Sequence, residues 1–397
     1  MGRALEGLTV VALEHAVAAP LATRHLADQG ARVIKIERPG SGDFARGYDR
    51  RVRGLSSHFV WTNRGKQSLA LDLKHPRAAE VLDRLLARAD VLVQNLAPGA
   101  AARLGLSYDA LAPRHPQLIV CDISGYGDDP ARPGPYRDRK AYDLLIQAES
   151  GFLSVTGSAD EVAKAGCSIA DIAAGMYAYS SVLAALIERG RSGRGRRIDV
   201  SMLESMVEWM GYPLYYAFEG APPPPRAGAA HSTIYPYGPF PTGGGGSVLL
   251  GVQNEREWQA FCTQVLQQPA LAADPRFASN AARSAARAEL QALVVAAFAG
   301  LDAAQVMQRL DAAGIANAQV NDLAQVWGHA QLRARQRWAP VDTPAGAVPA
   351  ALPPGARDAD DVVMGAVPAL GEHGPAILAE LGYDEATIAE LTTAAAA

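Results

Sequence analysis

The sequence predicts a doubly wound α/β domain joined to a smaller α+β domain. Three observations carry this: strand-like and helical runs alternate through the first half of the chain, glycine and arginine collect where those strands end, and the composition changes at His231. At 397 residues the chain is long enough for two domains, each with its own core.

Residues 8–13 form a short β-branched run. A helical pattern follows over 19–29, Gly30 stops it, and 32–36 reads as a second strand. This βαβ unit predicts adjacent parallel strands with a right-handed crossover. The alternation repeats with a strand over 68–73, an amphipathic helix over 76–89, and buried strands at 91–94 and 118–123. An open, Rossmann-like sheet of this kind holds ligands at the carboxyl ends of its strands. Those ends carry residues 14–20, then 37–43 with Arg38 among glycines, then 95–99 with Arg103 beyond, and 124–127. Glycine admits close backbone approach and arginine clamps phosphate, so three such loops at one edge predict a cleft. The first turn lacks G-x-G-x-x-G, which disfavours an NAD-dependent dehydrogenase.

A short helix is expected over 143–149. Residues 165–175 are small and turn-prone, carry the single carboxylate Asp171, and run into a long apolar helical pattern through Met176, Val182 and Ile187. Asp171 therefore falls at or near a helix N-terminus. There it reads either as a cap or as a reactive carboxylate, since the unpaired N–H groups of a helix start also hold a developing oxyanion. The basic run 190–197, a solvated loop or a ligand site, leads into a strand at 198–200. A helix over 202–210 follows, and the prolines at 222–225 cannot continue it.

Beyond His231 an aromatic, proline-rich stretch ends in Gly243, Gly244, Gly245 and Gly246, which suit a hairpin tip or a mobile lid. A strand at 248–252, helical patterns over 255–310, a strand at 316–320 and a helix from Leu323 complete the smaller domain. Residues 340–368 read as an extended return linker, and a closing helix over 384–391 has few apolar anchors of its own. The expected division is a large domain over 1–215, a linker over 216–230, a small domain over 231–335, a return linker over 336–368, and a segment over 369–397 that docks on the large domain.

The formal net charge of −4 offers no basic field for nucleic acid or an anionic membrane, so neither is expected as a partner. Cys121, Cys167 and Cys262 are widely spaced and odd in number, which argues against a disulfide framework or a zinc ribbon. The first residues run straight into a strand pattern, and no uninterrupted apolar run reaches the length of a bilayer span. A soluble, unprocessed cytoplasmic protein is expected.

Residues 31–40 (ARVIKIERPG), 63–66 (NRGK), 71–74 (LDLK), Asn95 with 103–105 (RLG), 124–127 (SGYG), 171–175 (DIAAG), 199–202 (DVSM) and 371–373 (GEH) together resemble the class III CoA-transferase family, in one order from about Gly7 to Leu391. That family also holds formyl-CoA transferase, carnitine CoA-transferase and α-methylacyl-CoA racemase. The resemblance implies a homodimer whose chains are threaded like rings through one another. It also implies a CoA thioester as substrate, with no permanently bound cofactor and no metal. By position Asp171 matches the family's nucleophile. Arg38, Leu73, Lys74, Asn95, Arg103 and Lys140 match positions that line the CoA site, with Tyr142 beside them, and Gly243 to Gly246 resemble a mobile glycine loop.

The family's racemases deprotonate the α-carbon with a His and Asp pair. The matching His position holds Tyr142 here, a poor base at neutral pH, so transfer is expected over racemisation. Formyl-CoA transferases carry Gln and Trp where this chain has Val17 and Tyr48, which turns the expected acceptor from oxalate toward C4 to C5 dicarboxylic acids, with succinyl-CoA as donor. Arg46, or another cleft arginine, is the expected partner of the acid's distal carboxylate. The alternatives are a racemase-type isomerase and a CoA-binding protein without turnover.

Overall fold

The structure, a computed structural model, describes residues 3–393. The chain forms two compact units. The first runs to Phe152, resumes over Ala165–Met210 and includes the chain from Ala330 onward; the second comprises Leu153–Lys164 and Gly211–His329. The expected boundary at 215 thus falls at 210, and the expected linker over 216–230 belongs to the second unit.

The first unit is built on a six-stranded parallel sheet. Its strands are β1 (Thr9–Leu13), β2 (Arg32–Glu37), β3 (Lys66–Ala70), β4 (Val91–Gln94), β5 (Ile119–Ser124) and β6 (Arg197–Ser201), in the order β3-β2-β1-β4-β5-β6. Strand geometry sends successive side chains to opposite faces, and β1 shows both faces buried. Val10 and Ala12 enter one core with helix α1 (Ala18–Asp28), whereas Val11 and Leu13 enter another with helix α2 (Ala78–Leu86). Ile377, Leu378, Tyr383 and Leu391 complete that second core, so the closing segment packs on its own chain.

Two further helices matter for the site, α3 (Asp143–Glu149) and α4 (Ile169–Ser192). By length and composition α4 could cross a membrane; it packs Ala170, Ala173, Ala174, Ala178 and Val182 into the first core. Gly175 sets its approach to α1. A Cβ there would stand 2.7 Å from the carbonyl oxygen of Ala18, so the two helices meet backbone to backbone.

β3 begins and ends earlier than its hydrophobic pattern suggests. Gly65, with φ +72°, turns the chain into it, and the last pair is Ala70 against Glu37. Residues 71–74 leave the sheet as a loop. The expected linker over 340–368 includes part of an antiparallel ribbon, Trp338–Val341 against Val348–Ala351. Its turn is closed by the Thr343 hydroxyl on the Gly346 carbonyl at 2.7 Å.

The second unit holds an antiparallel sheet of β7 (Tyr237–Pro241), β8 (Ser247–Gly251) and β9 (Ala316–Gln319), over a core that includes Trp258, Phe261 and Phe298. The helical pattern of 255–310 breaks into short pieces, with Pro269 and Pro275 opening tight turns. The glycine run is the turn from β7 to β8. Gly243 donates to the carbonyls of Phe298 and Leu301 at 3.2 and 2.8 Å, and a Cβ on it would collide with the Ala299 carbonyl oxygen. Locally the run is a pinned hairpin tip.

Candidate active site

The strand order reverses between β1 and β4, and at that point the loops after the two strands part and leave a crevice. Asn95 ties them together. Its Oδ1 accepts from the His15 N–H at 2.8 Å and its Nδ2 donates to the His15 carbonyl at 2.9 Å. The side chain expected to line a CoA site is therefore spent on fixing the β1 loop.

Beside this point lies a cavity of about 260 Å3 at the carboxyl ends of the strands, lined by residues that include Leu13, His15, Arg38, Leu73, Lys74 and Leu104. Leu73 and Lys74 reach it because β3 stops at Ala70. Arg38 and Lys74 are exposed and their side chains have no ion-pair partner among the described residues. Two free cations at one rim suit phosphate. Arg103 is also exposed, at the end of the helix Ala100–Arg103, between the lining residues Ala100 and Leu104. Lys140 is exposed before α3 and is not among the lining residues.

Arg46 has a different place from the one expected of it. Its guanidinium donates to both oxygens of Glu37 at 2.9 and 2.7 Å, reaches the Pro368 carbonyl at 3.3 Å, and lies 3.7 Å from the centre of the Phe59 ring. This committed fork is a structural clamp, not a free partner for a substrate carboxylate.

Beneath the β1 loop runs a network of charges without access to water. Glu14 accepts from Lys66 at 2.6 Å and Lys35 at 3.3 Å with one oxygen, and from the Thr23 hydroxyl at 2.6 Å with the other. Asp43 accepts from Lys35 at 2.8 Å, and its other oxygen takes the N–H groups of Ala16 and Ala45 at 3.1 and 2.9 Å. That contact holds Ala16 at φ +62°, a left-handed conformation unusual for alanine. These residues were missed as site residues in the sequence; Lys35 inside the apolar run of β2 and Lys66 at the start of β3 were the signal. Their effect is to fix residues 14–18.

Asp171 stands where that loop meets α4. Val17 is buried at the start of α1, and the next N–H, that of Ala18, is directed to the Asp171 carboxylate. Asp171 is not the cap of its own helix. The N-cap position is Ser168, which makes no side-chain cap bond, and the Ala170 N–H is taken at 2.8 Å by Asp143 of α3. Asp143 also accepts from Gln147 Nε2 at 2.7 Å. Of two neighbouring carboxylates, one is satisfied and the other has a single amide. Burial, and then the charge of Asp143, push the Asp171 carboxyl up to about 7.

Tyr48, about half exposed, stands close enough to feel the charges of Asp171 and Tyr142, and its ring meets that of Phe44 at 5.8 Å. Burial, then the charges of Asp43 and Asp171, push the Tyr48 phenol up to about 12, which removes it as a base. The charged group acting on Asp171 is Asp143, not an imidazole. The arrangement therefore offers a partly buried carboxylate facing the amide of Ala18, and, from His15 of the same loop, a cavity with free cations.

Comparison with known proteins identifies the family. The model of CoA-transferase family III matches residues 5–374. The succinate–glutarate CoA-transferase of Agrobacterium fabrum is 34% identical, covering 96% of this chain and 97% of that one. The succinyl-CoA:glutarate CoA-transferase of Mus musculus is 33% identical, over 98% of this chain and 88% of its own. Among solved structures, a CaiB/BaiF family protein from Brucella suis superposes with a TM-score of 0.83 at 34% identity, over 96% of this chain and 100% of that one.

Proposed function

The chain belongs to CoA-transferase family III, and from that premise we propose that it moves CoA from succinyl-CoA to a free C4 to C5 dicarboxylic acid, with Asp171 as nucleophile. The observation that supports the role of Asp171 is its environment: a partly buried carboxylate, raised to about 7, held against the Ala18 N–H and free of capping duty. Desolvation makes a carboxylate more basic and a better nucleophile than in water.

The reaction then runs in two mirrored halves. An Asp171 oxygen attacks the thioester carbonyl, the C–S bond breaks, and a mixed anhydride and CoA thiolate form. The thiolate attacks the aspartyl carbonyl of the anhydride, which releases the donor acid and leaves an aspartyl-CoA thioester. The acceptor carboxylate attacks that thioester and expels the thiolate, which attacks the acceptor's acyl carbon and regenerates Asp171. Every step passes through an oxyanion, and where that oxyanion forms on the Asp171 carbonyl the Ala18 amide, directed at this carboxylate, supports the reading as its donor. Arg38 and Lys74 hold the phosphates of CoA. The acceptor class is supported by the two relatives named for glutarate.

A homodimer of interlocked rings belongs to the same proposal. In its support, Leu144, Leu145, Met176, Ile187, Val207 and Trp209 on three helices of the first unit are exposed.

The test is to mix the protein with succinyl-CoA and a panel including glutarate, mesaconate, malate and oxalate, and to read new CoA esters by mass spectrometry. Glutaryl-CoA or another C4 to C5 dicarboxylyl-CoA is expected, with a loss of about a thousandfold or more in Asp171→Ala. No new ester, or equal turnover by the variant, contradicts the proposal. Loss of α-deuterium from a 2-methylacyl-CoA without exchange of CoA would favour the isomerase.

A further inference from the structure

We propose that His15 binds the pantetheine arm of CoA, its Nε2 accepting a hydrogen bond from an amide N–H of the arm. This rests on the CoA-transferase reading and extends it to a residue whose side chain has no part in the steps above.

Position is the first support. His15 lines the same cavity as Arg38 and Lys74, and it precedes by three residues Ala18, whose N–H meets Asp171. A CoA thioester with its phosphates on those cations and its carbonyl at Asp171 carries its arm past this loop. The backbone here does not drift, because Asn95 holds both the N–H and the carbonyl of His15.

The ring is fixed and oriented as well. It stacks on Phe44 with centroids 5.2 Å apart and planes 18° from parallel. Its Nδ1 is closed off from solvent with no hydrogen-bond partner and lies 3.9 Å from an oxygen of the buried Asp43. The nitrogen left accessible is Nε2. A carboxylate on the Nδ1 side favours the tautomer with the proton there, which makes Nε2 an acceptor. Burial holds the imidazole below its ordinary range, so it is neutral at neutral pH.

The cavity supplies the last argument. Apart from the charged Glu37, Arg38, Asp72 and Lys74, its other lining side chains are leucines, Ile36, Pro39 and Ala100. Glu37 is committed to Arg46, and Asp72 to the Lys74 N–H at 2.9 Å. An amide that enters such a wall loses water and needs a replacement partner. His15 is the uncharged polar side chain that provides one.

Calorimetry on the full-length protein tests this with two probes, CoA and adenosine 3′,5′-bisphosphate, which keeps the nucleotide end and lacks the arm. His15→Phe preserves the stack on Phe44 and removes the acceptor. It is expected to weaken CoA about tenfold and to leave the bisphosphate unchanged, with an unaltered melting temperature, while His15→Gln restores most of the affinity. Equal weakening of both probes, or no weakening of CoA, overturns the proposal. Wild-type protein that binds CoA yet transfers none contradicts the transferase reading alone; wild-type protein that binds no CoA removes both.

Discussion

Arg38 and Lys74 stand at the carboxyl edge of the sheet exposed and without an ion-pair partner among the described residues, whereas Lys35, Lys66 and Arg46, from the same strands and loops, are closed up against Glu14, Asp43 and Glu37. The first pair can be offered to a ligand at small cost, since water already solvates it. The second set has lost its water and is repaid by its counter-ions and hydrogen bonds, so its use is to hold the loop that carries His15 and Ala18. The same division separates Asp143 from Asp171. One is fully bonded and shapes the helix start; the other is left under-bonded, as the proposed nucleophile requires.

The contrast is sharpest where a buried pair is broken. Lys66→Met strips Glu14 of its shortest ion pair where no water can replace it, and a loss of about 3–5 kcal/mol in urea unfolding is expected. Arg38→Ala should leave the unfolding midpoint where it is. A comparable loss from both substitutions would erase the distinction.

The two carboxylates differ next in their pH signature. Asp171 must be charged to attack, so kcat/KM for the acyl-CoA falls below an apparent pKa of about 7 and is roughly tenfold under its plateau one unit lower. Asp143→Asn removes the neighbouring charge and should move that midpoint to lower pH. Stability runs in the opposite sense: a raised carboxyl costs the folded state progressively from pH 4 to 7 and steadily above it. Asp171→Asn should therefore gain thermal stability over wild type across that window, with no further gain above it. A pH profile unmoved by Asp143→Asn would remove that residue from the electrostatics of the site.

The smallest effects belong to the exposed cations. Arg38→Ala and Lys74→Ala should each raise KM for the acyl-CoA by about three- to tenfold with kcat kept, and the difference should fade at high salt. Arg46→Ala should show the other pattern, a lower melting temperature without a salt-dependent KM.

Much of this was legible in the sequence. The βαβ rhythm of residues 8–36 located the central strands to within a residue, because strands buried on both faces read as continuous apolar runs. Arg38 followed from its place in a strand-end loop, whereas Leu73 and Lys74 were indicated only by the family resemblance. What could not be read were the partners. Whether Arg46 is free or forked onto Glu37, and whether Asn95 faces a ligand or the His15 backbone, depends on contacts between segments that are distant in sequence. The cap of α4 was hidden for the same reason, since it comes from Asp143 and not from the helix's own first turn. The ribbon formed with residues 348–351 escaped notice because Ala and Pro dominate there, and pairing, not propensity, makes those residues strands.

The central claim is that Asp171 becomes covalently attached to CoA during turnover. Incubation with succinyl-CoA, quenching, digestion and mass spectrometry of the peptide that contains residues 165–175 test it directly. An adduct of the mass of CoA on Asp171, converted to the alcohol by borohydride and absent from Asp171→Ala, is the predicted result. Transfer to the acceptor with that peptide unmodified, or an adduct on another residue, would contradict it.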